Sequence, residues 1–308
     1  MVAATARYFC GMQSSIRFSA LGLLATALVF TACKKEDTAD PASDDAGPRL
    51  ILKFRFDSTQ VRLNNLGQPS TVPVGRGAQS PVFNRMSAHY VEFAPTATTW
   101  LGQGDIVYHA PETTLGGDTA IDHDLGLEVG QGGEFLNIPL SELGTGTYQW
   151  LRVSLAYQNY DIKFSAFSLP FTGTIASFIG YNTYIGSFLV KDSTVTVNAN
   201  KLQGFWAFEV NDPPFPTPVE QGQASGTTVV NPLFLTSPVP AGSCVVTGAF
   251  PVPLTITGNE TEDVVIEVSV STNKSFEWTE TDGDNVFEPA NGETPVDMGV
   301  RGMIPTVQ

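Results

Sequence analysis

From Arg49 onward, apolar side chains recur at every second position in short runs, and no stretch sustains a 3.6-residue period between caps. That pattern commits the chain to sheets. In RLILKFRF, Arg49 to Phe56, residues Leu50, Leu52, Phe54 and Phe56 share one face, and Ile51, Lys53 and Arg55 take the other. Weaker runs follow at Ser87–Ala94, in GDIVYHA from Gly104 and in EFLNIPL from Glu134. From Tyr148 to Tyr157, the alternation sets Leu151, Val153, Leu155 and Tyr157 against Trp150, Arg152, Ser154 and Ala156. Further strands are predicted at Ile162–Phe167, Thr172–Ile179, Tyr184–Val190, Thr194–Val197 and Leu202–Val210, and through Val264, Ile266, Val268 and Val270. The 29 Gly and 21 Pro, spread along the chain, punctuate these runs. The expected fold is all-β, an antiparallel β-sandwich or barrel-like sandwich.

The first residues read as an address. Arg7 and Arg17 precede an apolar run, Phe18 to Phe30, that is too short for a permanent membrane helix and suits a secretory leader. It ends in Thr31-Ala32-Cys33, which resembles the lipobox of bacterial lipoproteins, with Phe30 where Leu is usual. The resemblance implies a signal peptide over 1–32, acylation of Cys33 and a membrane partner through that anchor. The alternatives are an ordinary signal peptide or an uncleaved anchor. Residues 33–47 are polar and acidic, too poor in apolar groups to fold, and form a tether. Its start, Lys34-Lys35-Glu36-Asp37, resembles the export signal of Bacteroidota lipoproteins, which implies an outer-membrane, cell-surface location.

Four prolines open the stretch Asn211 to Gly226. They suggest a main β-domain over 48–211, a linker over 212–226 and a smaller β-region over 227–308, unless the last block completes the first sheet. Beyond Cys10 and Cys33, Cys244 alone remains, so no internal disulfide can form.

The richest run of oxygen ligands is Glu280 to Glu293. Counted from Glu280, a calcium loop would use the carboxylates of Glu280, Asp282 and Asp284, the carbonyl of Val286, then Glu288 and a late Glu293. Asn285 would take the left-handed position that such loops require. A register starting at Asp282 would instead force Phe287 into that position, at steric cost. The segment resembles bacterial DxDGDGxxD calcium loops, with an opening Glu, no Gly and a late closing acid. The competing interpretation is a polar turn.

Three histidines, His89 in MSAHYVEF, His109 in IVYHAPE and His123 in AIDHDLG, are candidate ligands for copper or zinc. The segment order RLILKFRF, AHYVEF, VYHAPET and GTGTYQWLRVSLAY resembles the MbnP family of secreted copper-associated β-proteins over about Arg49 to Tyr160. AHYVEF departs from that family's YYISN wording, and no GVD follows the long strand. The resemblance implies copper, with His109 leading and His89 or His123 beside it.

The formal charge is −15, and loss of Arg7 and Arg17 with the leader makes it −17, a field that repels phosphate backbones and excludes a nucleic-acid partner. No GxSxG, HExxH, P-loop or strand–GxGxxG–helix pattern is present. The leading expectation is a non-catalytic, surface-exposed outer-membrane lipoprotein, a binding or structural module for a protein or glycan ligand, with a structural calcium loop. The alternative is a copper-binding protein using His109 with His89 or His123.

Overall fold

The computed structural model describes residues 47–64, 66–212, 215–216, 219–224 and 243–308. Cys33, the leader and all but the last residue of the tether lie outside the described residues. The strands in chain order are β1 (Arg49–Asp57), β2 (Arg76–Gln79), β3 (Val82–Ala94), β4 (Asp105–His109), β5 (Glu112–Thr113), β6 (Ala120–Asp122) and β7 (Glu128–Val129). Next come β8 (Glu134–Pro139), β9 (Gly146–Ala166), β10 (Leu169–Phe178), β11 (Asn182–Leu189), β12 (Thr194–Leu202), β13 (Phe205–Glu209), β14 (Asn211–Asp212) and β15 (Phe215–Pro216). The last are β16 (Glu220–Gln223), β17 (Cys244–Ile256), β18 (Val264–Ser271), β19 (Phe276–Thr279), β20 (Pro295–Met298) and β21 (Met303–Val307). The all-β class expected from the alternation is the observed one. Among the described residues no helix is long and apolar enough to cross a membrane.

The largest sheet runs β16-β13-β10-β9-β3-β4, with β17 also on β9 and β7 on β3. Its spine is β9, 21 residues long, about 70 Å at the usual rise per residue. The strands predicted separately at Tyr148–Tyr157 and Ile162–Phe167 are halves of it. Along one edge of β9, β17 pairs with the first half and β10 with the second, while β3 runs along the other edge. A second sheet is ordered β21-β18-β1-β8 and a third β12-β11-β6-β5.

The large sheet is buried on both faces. Ile175 of β10 and Ile179 just past its end enter a core shared with Leu50, Leu52 and Phe54 of β1 and with Ile266 and Val268 of β18. The alternate residues Ala176 and Phe178 of β10 enter a second core with Ile185 and Phe188 of β11 and Val195 of β12. Period-2 geometry therefore stacks three layers, with the large sheet in the middle.

That arrangement corrects the expected faces of β9. Leu151, Val153 and Leu155 point into the larger core, but Tyr157 lies in the second core, and Tyr160, Ile162 and Phe164 resume the first. The cause is a bulge: Ser87 pairs with Tyr157 and Ala88 with Leu155, which leaves Ala156 as an extra residue. One extra residue exchanges the two faces of everything beyond it.

The described part of the last block, residues 243–308, completes sheets begun earlier in the chain, the alternative to a separate region. β18 pairs with β1 in parallel over eight residues, from Leu50 with Val264 to Asp57 with Ser271, and β19 pairs with β2. Asp45–Gln308 forms one compact unit. This parallel ladder, with the short β11–β6 pair, sits among ladders that are otherwise antiparallel among the described residues. Within the predicted linker 212–226, β16 pairs with β13 at the sheet edge, and β14 pairs with β15. Proline is tolerated at such edges and turns because no ladder donor is needed there.

Where β1 ends, Asp57 Oδ1 accepts from the Thr59 hydroxyl and from the Thr59 and Gln60 amides, and its Oδ2 accepts from Arg55 Nη1 at 2.8 Å. The Thr59 bonds, with Arg55 behind them, hold the Asp57 carboxyl down at about 2. A depressed carboxyl stabilises the fold above its unfolded value of about 3.9, and the contribution fades as the pH falls through the folded one. Asp57→Asn is therefore expected to cost about 1–2 kcal/mol at pH 7 and much less near pH 2.5. Urea titrations at the two pH values check this; an equal cost at both would contradict it.

Candidate metal centre

His89 owes its position to a second bulge. On β3, Ala88 pairs with Leu155 and Tyr90 with Ser154 of β9, so His89 is the unpaired extra residue. Ala88 and Val91 both enter the larger core. The two residues between them therefore project together from the opposite face. Uninterrupted alternation back from Phe93 and Val91 would have driven the imidazole into that core. The bulge turns it towards β4 instead.

On β4, His109 pairs with Tyr90, and its ring centroid lies 4.6 Å from that of His89. Past the β4 end, the Ala110 amide donates to the His89 carbonyl at 2.8 Å and brings β5 alongside. There the Glu112 Oε1 lies 3.0 Å from His89 Nε2 and accepts from the Tyr181 hydroxyl at 3.0 Å. His89, His109 and Glu112 each offer a ligand atom within 4.8 Å of the others. Ligand atoms about 2.0–2.2 Å from one metal ion sit roughly 3–3.5 Å apart, so small side-chain movements complete the geometry.

His89 is fully buried, while His109 and Glu112 are exposed. Burial first, and the neighbouring His109 second, push the His89 imidazolium down to about 4, against the opposing pull of Glu112. At neutral pH the ring is the uncharged, ligating form. Its buried Nδ1 has no hydrogen-bond partner among the described residues. An orphaned imidazole nitrogen beside a second imidazole and a carboxylate fits a transition metal of the copper or zinc class. Tyr181 would then be the outer group that orients the carboxylate.

His123 does not join them. It begins the 3-10 turn His123–Leu125 and packs against Tyr157, Phe178 and Phe188, with Nε2 3.7 Å from Glu128. Burial lowers its pKa as well. One of its flanking acids is engaged locally: Asp122 Oδ1 accepts from the Asp124 amide at 3.1 Å. Of the alternative pairings for His109, the structure brings His89 close and places His123 elsewhere. Glu112 escaped the sequence analysis, although it lies in VYHAPET only three residues after His109. Nothing in an extended run signals that the chain beyond His109 stays beside β3, where the Ala110 amide meets the His89 carbonyl.

The acidic loop has the turn geometry of the first register. Asn285 is left-handed at φ 58°, and Phe287 is not among the residues of positive φ. The carboxylates, however, mostly hold the loop's own amides. Glu280 accepts from Gly283 and Asn285, Asp282 from Asp284, Asp284 from Val286, and buried Glu293 from Thr281 and Glu288. The predicted ligands gather as two triads, Glu280, Asp282 and Glu293, and Asp282, Asp284 and Glu288, rather than around one centre. Phe287 plugs the loop into the core against Phe276 and Trp278. Asn285 clamps it to β2, accepting from the Ala78 amide at 3.0 Å and donating to its carbonyl at 3.4 Å.

Asn285→Ala should lose that clamp and strain the left-handed backbone, costing about 2–4 kcal/mol. Asn285→Gly should lose the clamp alone and cost less. Chemical denaturation of the two variants checks the order; equal losses would contradict the strain. Comparison of the chain with family models, with curated proteins and with solved structures yields no match.

Proposed function

We propose that this chain is an envelope-anchored β-sandwich that binds one divalent transition-metal ion, copper above all, through His89, His109 and Glu112. The observation that carries this reading is the convergence of His89, His109 and Glu112, whose ligand atoms lie within 4.8 Å of one another, with His89 Nε2 3.0 Å from Glu112 Oε1 and the two imidazole rings 4.6 Å apart. Two nitrogens and one carboxylate oxygen suit copper(II), which stands highest in the divalent affinity order. The centre is half open: His89 is held rigidly inside, while His109 and Glu112 face solvent. Such a site can load and release its ion without unfolding, which suits capture or transfer at the cell envelope better than a closed structural role. The MbnP likeness, carried by the segments around His89 and His109, points the same way. The lipobox-like Thr31-Ala32-Cys33 supports an anchor that keeps the domain at the outer membrane.

Titration of the purified protein with copper(II) should give one equivalent bound, with nitrogen hyperfine structure in its electron paramagnetic resonance spectrum. His89→Ala and His109→Ala should each weaken binding at least tenfold, and His123→Ala should leave it unchanged. Full retention in both of the first two variants would refute the site. Cys33→Ala should move the protein from the membrane fraction to the soluble one; an unchanged distribution would remove the anchor.

A further inference from the structure

Far along the sequence from the metal ligands, three arginines meet around one carboxylate. Glu277 of β19 is fully buried and takes Arg62 Nη2 and Arg301 Nη2 on Oε1 and Arg76 Nη1 on Oε2, the last at 2.8 Å. Arg301 also pairs with Asp297 at 2.8 Å. The cluster borders a cavity of about 350 Å³, whose other walls include Leu63, Val246, Met298 and Val300. A volume of that order accepts a small organic molecule.

The charges do not balance. Three guanidinium groups face two carboxylates, which leaves one positive charge at the cavity of a chain whose overall charge is −15. Three of the chain's nine arginines are concentrated here. The Nε atoms of Arg62 and Arg301 are buried without an acceptor among the described residues. Arg76 commits only Nη1 to Glu277 and keeps about a third of its side chain exposed. A buried cation lacking a counter-charge is costly, and a guanidinium fork is shaped for a planar oxyanion.

We propose that this cavity binds a small organic monocarboxylate, its carboxylate on Arg76 and its apolar body against Leu63, Val246, Met298 and Val300. One negative charge restores neutrality, which favours a monoanion over a doubly charged phosphate. The apolar walls favour a carbon chain over an inorganic ion. The inference is independent of the metal reading, since no residue is shared.

Calorimetric titration of the purified full-length protein with hexanoate, 1-hexanol and inorganic phosphate tests it. Hexanoate should bind saturably, and at least tenfold more tightly than either of the others. Arg76→Gln should bring hexanoate down to the level of hexanol, and Arg76→Lys should retain part of the difference. Met298→Trp, which fills the cavity without touching a charge, should abolish binding, and melting curves confirm that each variant is folded. Equal binding of hexanoate and hexanol, or an undiminished hexanoate affinity in folded Arg76→Gln, would overturn the carboxylate contact. Phosphate binding as tightly as hexanoate would overturn the organic ligand, and the absence of saturable binding by hexanoate would overturn the site.

Discussion

A sheet buried on both faces must keep two sets of side chains in phase with two different cores, and in β9 and β3 that phase is set by single extra residues. Ala156 interrupts β9, and His89 and Asn84 interrupt β3. On β3, Phe83 is followed in the larger core by Met86 and Ala88, then by Val91 and Phe93. The parity changes at each bulge. Without these interruptions, continuing the alternation would drive His89 among leucines and send Tyr157 to the wrong layer. The bulges are thus part of how the sequence encodes three layers, and the histidine pair follows from the same device.

The middle sheet also explains how so many polar groups come to be buried. Glu92 and Arg152, both fully buried, face each other at 3.9 Å across the β3–β9 pair. Glu92 Oε1 accepts from the amides of Gly102 and Gly104 at 3.0 and 2.6 Å. A desolvated carboxylate bound to two backbone donors fixes the loop before β4. That loop in turn sets where β4 begins, and His109 is its last residue. The candidate metal ligands rest on a polar framework that an isolated sandwich sheet, with one face in water, would not need.

How much of this was legible beforehand depended on range. RLILKFRF forms the half-buried strand that its alternation describes, with Leu50, Leu52 and Phe54 inside. The left-handed Asn285 was legible too, because left-handed backbone has few tolerable occupants. Bulges leave no mark in a run such as SAHYVEF, since the extra residue is defined by its partner strand and not by itself. The parallel pairing of β1 with β18 joins segments more than 200 residues apart, and each reads alone as an ordinary strand. Glu112 was invisible for a third reason: a carboxylate becomes a candidate ligand only when a distant strand sets an imidazole beside it, as β3 sets His89.

Charge shows most plainly what local composition hides. An excess of acid along the chain repels polyanions at long range, yet it says nothing about individual cavities. The acidic loop consumes its carboxylates on its own amides, so it is less of an anionic trap than its composition suggests. The basic residues, scarcer by half, are partly pooled: Arg62, Arg76 and Arg301 come from three distant segments and share Glu277. Exposed acids scattered over the surface are screened within about 8–10 Å by ordinary salt, whereas a guanidinium cluster walled by apolar side chains is screened much less. The field inside the cavity is therefore set by those few arginines and not by the sign of the whole molecule.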